Sequence, residues 1–292
     1  MTAVYIILGV LALLGALYLF LVFPARWPKD RRGPFDGRYF AHRGLFQNDG
    51  PLPPENTCAA FEEACRAGFG SELDVQFTSD GQLIVFHDND YKRAAGVDKK
   101  VWEVPLGEAR SFNLFGRGYQ VPLFTEVLDT VAGRAPLIIE IKAEERDNAA
   151  YYELCRRVNE VLLGYRGVYC IESFNPFVVR WWRRHRPDVM RGQLLNGPAG
   201  YPRSLPAPVR WLLGKLMLDC LGRPHFVAYN HLDRPRALDL NRRLGAMAVM
   251  WTVKNAEDGA RLEKNNDTII FDSYRPAGPD FAARGQHCRP TE

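Results

Sequence analysis

From Arg38 onward the chain repeats one rhythm: a short apolar run, then a longer amphipathic stretch. The runs RYFAHRG, FGSELDVQF, PLIIEIK, GVYCIESF, VMRGQLL, HFVAYN, MAVMWTV and DTIIFDSY read as strands. Between them, segments such as ENTCAAFEEACRAG, AAYYELCRRVNEVLL and NPFVVRWWRRHRP carry helical spacing. About eight strand–helix units is the number that closes a (β/α)8 barrel, the TIM barrel of α/β proteins. An open doubly wound sheet is the alternative, but no GxGxxG follows the first strand and no P-loop appears. One connection is too long for an ordinary turn, from roughly Thr78 to Gln120 after the second strand, and it holds its own strand-like LIVFHD. It reads as a small insertion over the barrel mouth.

The chain has 292 residues, within the range of one such barrel. Ahead of it, Ala3 to Phe23 carries no charge. At 1.5 Å per residue, that run is long enough to cross a hydrocarbon layer of roughly 30 Å. A cleaved signal peptide is the alternative, yet Met1-Thr2-Ala3 lacks the basic start such peptides need. Residues 1–24 are therefore expected to form a single transmembrane anchor, 25–37 a juxtamembrane linker at the membrane surface, and 38–292 the barrel domain. Arg26, Lys29, Arg31 and Arg32 follow the span and no basic side chain precedes it, so the soluble part is expected to face the cytoplasm. The six cysteines (Cys58, Cys65, Cys155, Cys170, Cys220, Cys288) show no CxxC or zinc-like spacing and fit reduced thiols. The net charge of +4 is modest and no basic stripe is interleaved with aromatics, which argues against nucleic acid as a partner.

In SELDVQ, strand periodicity sends Glu72, Asp74 and Gln76 to one face and Leu73, Val75 and Phe77 to the other. Carboxylates facing a barrel interior need a cation, because desolvation and mutual repulsion both oppose their ionisation. Glu140 in LIIEIK alternates in the same way, and the three acids make an oxygen-rich set suited to Mg²⁺ or Ca²⁺. A solvated edge strand, or pairing with Arg and Lys, is the competing reading. Lys142 shares a face with Glu140 and would supply a positive group for a phosphate oxygen. His42 and Arg43 end the first strand, and His87 ends LIVFH just before Asp88. Two imidazoles across a phosphodiester can serve as base and acid, although a lone histidine at a strand end is more often structural. In PPENT, Asn56 suits a helix N-cap and Glu55 a helix start. Trp251 in MWTVK either walls the pocket or fills the core.

Taken in order, HRG, PENT, ELD, FHD, EIK and WTV resemble the glycerophosphodiester phosphodiesterase family, over about Arg38 to Pro276. The resemblance implies a (β/α)8 barrel with an insertion after strand two, one divalent cation, and hydrolysis of glycerol-linked phosphodiesters. It also implies His42 and His87 as the acid–base pair, Arg43 and Lys142 as phosphate contacts, and Glu72, Asp74 and Glu140 as metal ligands. Lys254 stands where the family's usual WTVN ending has asparagine, and FDSYRP is a variant final strand whose Asp272 has no role by this resemblance.

The expected substrate is a glycerophosphodiester, or a lysophospholipid if the anchor brings the barrel to lipid. The segment PVRWLLGKLMLDCL is either an ordinary barrel helix or an amphipathic lip on lipid beside the site. A phosphatidylinositol-type phospholipase C and a non-catalytic lipid-binding barrel are the alternative functions.

Overall fold

The computed structural model describes residues 1–143, 148–197, 200, 201, 203, 205–265 and 268–280. Its strands are β1 (Arg38–Ala41), β2 (Gly70–Phe77), β3 (Leu83–Val85), β4 (Leu137–Ile141), β5 (Tyr169–Ser173), β6 (Arg191–Leu195), β7 (Phe226–Asn230), β8 (Met247–Val253) and β9 (Thr268–Phe271). β1 pairs with β9 on one side and β2 on the other, and every neighbouring pair in the ring β1-β9-β8-β7-β6-β5-β4-β2 runs parallel. The sheet therefore closes into an eight-stranded barrel, as the alternation of runs predicts.

Eleven helices are described: α1 (Thr2–Val22), α2 (Cys58–Arg66), α3 (Lys92–Ala95), α4 (Leu106–Ala109), α5 (Phe124–Val131), α6 (Asn148–Leu162), α7 (Pro176–His185), α8 (Ala207–Gly214), α9 (Asp219–Gly222), α10 (Leu238–Arg243) and α11 (Ala256–Leu262). Leu73, Val75, Leu137, Ile139 and Ile171 point outward and pack on Phe124, Leu154, Val158 and Trp182 of the helix layer. The alternate positions Phe40, Ile138, Cys170, Phe226 and Met247 fill the barrel interior. Strand period two thus separates two cores on opposite faces of one sheet. Gly192 belongs to the inner set, and a Cβ there would run into the Phe226 ring.

The long connection after β2 is a small unit of its own. β3 runs antiparallel to β2, with Val75 opposite Val85 and Phe77 opposite Leu83. Around it Ile84, Phe86, Tyr91, Val101, Val104 and Leu114 form a separate core. Gln76 Nε2 donates to the carbonyls of Phe86 (2.6 Å) and Asp88 (2.9 Å), tying the His87 loop to the upper end of β2.

The opposite, N-terminal end of the barrel is closed by residues 25–37, expected from the sequence to be a surface linker. Phe35 is buried and stacks on Phe40 with centroids 5.9 Å apart, and Trp27 meets His225 edge-on at 4.6 Å. Arg32 Nη2 donates to Gly245 O (2.6 Å), and Thr268 Oγ1 to Phe35 O (2.6 Å). The apolar helix α1 is long and apolar enough to cross a membrane, and nearly all of it is exposed. Its C-terminal end, from Tyr18 onward, packs on the barrel. Val22 is fully buried there, Arg223 Nη1 donates to the carbonyls of Phe20 and Phe23 (2.7 Å each), and Asn241 Nδ2 to Val22 O (2.8 Å). These donors satisfy carbonyls that a helix C-terminus leaves unpaired. The five described cysteines are free thiols, and Cys288 lies outside the described residues.

Candidate active site

The C-terminal ends of the strands surround a cavity of about 1390 Å³. At its edge β1 stops at Ala41 and the chain turns sharply: Arg43 (φ 55°) and Gly44 (φ 81°) both adopt the left-handed region. At Gly44 a Cβ would lie 2.8 Å from the Ala60 main chain of α2, so the HRG turn needs its glycine for close approach as well as for φ. The turn aims His42 into the barrel mouth. His42 Nδ1 lies 3.1 Å from Asp272 Oδ2, and Nε2 lies 3.9 Å from Glu72 Oε2. The Asp272 carboxyl is itself held low, burial notwithstanding, by the hydrogen bond to His42. It is ionised at neutral pH, so Nδ1–H donates to it and Nε2 keeps a free lone pair. Burial first, then the Arg43 guanidinium, pull the His42 pKa down to about 4, and the imidazole is neutral.

The acids come from β2 and β4, which pair Asp74 with Glu140 in register. Glu72, Asp74 and Glu140 are all buried, and one oxygen from each lies within 4.8 Å of the others. Burial, then the charges of Asp74 and Glu140, push the Glu72 carboxyl well up. Asp74 moves the other way: burial opposes its ionisation, but His87, Lys142 and Arg43 together overcome it. Asn56 Nδ2 donates to Asp74 Oδ2 (2.9 Å), while Asp74 Oδ1 has no hydrogen-bond partner. Lys142 Nζ bridges Glu140 Oε1 (3.0 Å) and Asp74 Oδ1 (3.7 Å). Repulsion among buried acids and a buried carboxylate oxygen that lacks a hydrogen bond both fit a divalent cation bound by oxygen donors.

His87 stands on the insertion with Nδ1 held 2.6 Å from Asp88 Oδ1. Asp88 Oδ2 accepts from Arg93 Nε (2.7 Å), whose Nη2 donates to Glu55 Oε1 (2.6 Å), and Glu55 Oε1 accepts in turn from Arg43 Nη1 (2.8 Å). Both histidines thus have Nδ1 engaged by an aspartate, and one charge-assisted chain joins the insertion to the HRG turn.

The sequence matches the model of the "Glycerophosphoryl diester phosphodiesterase family" across residues 42–275. That span runs from His42 past Asp272 and contains the whole constellation. The chain belongs to the glycerophosphoryl diester phosphodiesterase family. It is 30% identical over 249 residues to a glycerophosphodiester phosphodiesterase of Caldanaerobacter subterraneus subsp. tengcongensis, covering 80% of this chain and 92% of that one. It is also 30% identical over 178 residues to lysophospholipase D GDPD1 of Homo sapiens, where the match covers 56% of this chain and about half (53%) of that protein. Among solved structures, one from Silicibacter pomeroyi DSS-3 superposes with a TM-score of 0.67 at 25% identity, covering 88% and 94% of the two chains. An Oleispira antarctica phosphodiesterase in complex with its product sn-glycerol-3-phosphate shares the fold with a TM-score of 0.66 at 20% identity, covering 82% and 94%. This family member is a phosphoric diester hydrolase.

In this phosphodiesterase fold all eight residues singled out in the sequence, His42, Arg43, Glu72, Asp74, His87, Glu140, Lys142 and Trp251, meet at one end of the barrel. Three further residues join them. Asp272 orients His42, though the sequence offered no role for it. Glu55, read as mainly structural, lines the cavity between Arg43 and Arg93. Glu172 of β5 sits in register with Glu140, and its alternation with Ile171 and Ser173 was the available signal. One local reading changes: the N-cap of α2 is Thr57, whose hydroxyl accepts from Ala60 N, while Asn56 (φ 55°) turns its amide to Asp74. Lys254 lines the cavity where the family's asparagine is expected, and Asn255 caps α11. The PVRWLLGKLMLDCL segment splits into α8 and α9. Val209, Leu213 and Leu218 line the cavity, and Trp211 is about half exposed.

Proposed function

We propose that the protein hydrolyses glycerophosphodiesters to glycerol 3-phosphate and an alcohol, with His42 and His87 as the proton-transferring pair. The observation that carries this reading is the buried acid trio flanked by two histidines, each with Nδ1 engaged by its own aspartate. Neutral His42 would take a proton at Nε2 from the attacking oxygen, and His87 would return one to the departing alcohol oxygen as the P–O bond breaks. Attack by water or by the adjacent glycerol hydroxyl uses the same groups. Arg43 and Lys142 are positioned to neutralise phosphoryl oxygens. Glu72, Asp74 and Glu140 would hold one Mg²⁺ or Ca²⁺, which when bound supplies Lewis-acid polarisation of the phosphoryl group. Trp251 would wall the substrate pocket, its ring edge-on to Phe174 at 5.8 Å.

A lysophospholipase D activity is the finer reading. It is supported by the apolar side chains of Leu205, Val209, Leu213 and Leu218, which line the same cavity as Glu72 and Glu140. We further propose that α1 is a retained single-pass anchor with the barrel in the cytoplasm. The capping of its last carbonyls by Arg223 and Asn241 makes that turn part of the fold, which supports retention over cleavage. Protease added outside right-side-out vesicles should leave the barrel intact, and external cleavage would reject the orientation. For the chemistry, glycerophosphocholine and lysophosphatidylcholine are supplied with Mg²⁺ or Ca²⁺ and products are weighed by mass spectrometry. Glycerol 3-phosphate and lysophosphatidic acid are expected. Phosphocholine, or a cyclic inositol phosphate from a phosphoinositide control, would favour a phospholipase C instead.

A further inference from the structure

We propose that Glu172 binds the glycerol hydroxyls of the substrate and so selects glycerol-linked diesters; this rests on the cavity being the diester site proposed above. Glu172 is 1% exposed and lines the cavity, yet its Oε2 has no hydrogen-bond partner. A buried polar oxygen left unpaired is costly, so a protein that keeps one in a binding cavity keeps it for a ligand donor. Lys142 Nζ lies 3.0 Å from Glu140 and 3.7 Å from Asp74 and makes no hydrogen bond to this oxygen. Glu172 is not one of the three acids whose oxygens cluster within 4.8 Å, though it lies in register with Glu140.

An unpartnered carboxyl oxygen is an acceptor, which suits a hydroxyl donor and offers nothing to a phosphoryl oxygen that is itself an acceptor. The alcohol portion of the diester fits that description, and in this family that portion is glycerol. A complementary donor lies nearby. Trp251 Nε1 is buried, unpartnered and lines the same cavity, and its ring meets Phe174, two residues beyond Glu172 on the chain. Acceptor, donor and aromatic edge together suit a small polyol carried on a hydrocarbon frame.

The test compares two probes by isothermal titration calorimetry in the presence of Ca²⁺: glycerol 3-phosphate and inorganic phosphate. In Glu172→Leu, the affinity for glycerol 3-phosphate is expected to fall about 10- to 100-fold, the worth of one hydrogen bond to a charged or buried group. Inorganic phosphate should bind within about twofold of the unsubstituted protein, and Ca²⁺ affinity should hold. Glu172→Met, whose flexible chain fills a similar volume, carries the comparison if the leucine variant does not fold. Equal losses for both probes, a loss of Ca²⁺ affinity, or no loss for either would overturn the assignment. Because the readout is binding, it stands apart from turnover: an unsubstituted protein inactive on glycerophosphocholine would reject the functional reading and leave the Glu172 comparison intact.

Discussion

His42 shows how one residue acquires its chemistry from its neighbours. Its ring is neutral because burial and Arg43 oppose the charge, and it is aimed because Asp272 holds Nδ1. Asp272→Asn removes the charge that fixes that tautomer, and kcat should fall about 10- to 100-fold, the scale seen when an orienting partner is lost. Calorimetric titration should show cation affinity unchanged, which separates orientation from metal binding. Glu55 makes a different kind of contribution. Burial opposes its ionisation, yet the hydrogen bonds from Arg93 and the charge of Arg43 lower its pKa to about 2. A carboxyl depressed on folding stabilises above its ordinary value near 4.5, and that contribution is lost as pH falls through about 2. Glu55→Gln should therefore be less stable by up to about 3 kcal/mol at pH 7, with the gap to the unsubstituted protein shrinking by pH 3 in urea denaturation. Strand alternation gave the acid trio and Lys142 a face in the sequence, whereas the two histidines were marked only by their places at strand ends and by the family resemblance. Asp272 and Glu172 obey the same alternation, but a lone acid beside no motif carries no chemistry until the barrel closes and brings it opposite a partner.

At the scale of elements, the HRG turn and the β2 insertion do the positioning. Gly44 is at φ 81° with α2 main chain against it, so Gly44→Ala should destabilise by about 2–3 kcal/mol. The urea midpoint should drop with little change in slope, and an unchanged midpoint would show that the turn relaxes. The insertion was readable from its length and its LIVFHD strand, since an ordinary connection would not need that many residues. Its attachment was not readable. Gln76 reaches from β2 to the carbonyls of Phe86 and Asp88, a contact across a chain reversal that has no linear signature. The start of α2 was misplaced by one residue because Asn56 and Thr57 are both good caps, and tertiary demand decided between them: Asp74 takes the asparagine.

For the whole molecule, the closed barrel followed from counting strands, whereas its floor did not. Residues 25–37 are rich in proline and arginine and read as linker, yet Trp27, Arg32 and Phe35 close the N-terminal end of the interior. A chain starting at residue 24 gives up the Val22 packing and the Asn241 hydrogen bond and sets the reference thermal midpoint. One starting at residue 38 exposes the Phe40 and His225 contacts and should lose several degrees by calorimetry, since burying one aromatic side chain is worth about 1.5–3 kcal/mol. Equal midpoints for the two would return those residues to the role of linker. The central claim, that phosphodiester hydrolysis runs at the acid trio between two oriented histidines, is tested most directly by restoring cation to chelator-stripped protein. Glycerol 3-phosphate release from glycerophosphocholine should be absent after stripping and return with Mg²⁺ or Ca²⁺ in the unsubstituted protein, and fail to return in Asp74→Asn. Release at the same rate with chelator present, or full recovery in Asp74→Asn, would contradict the account.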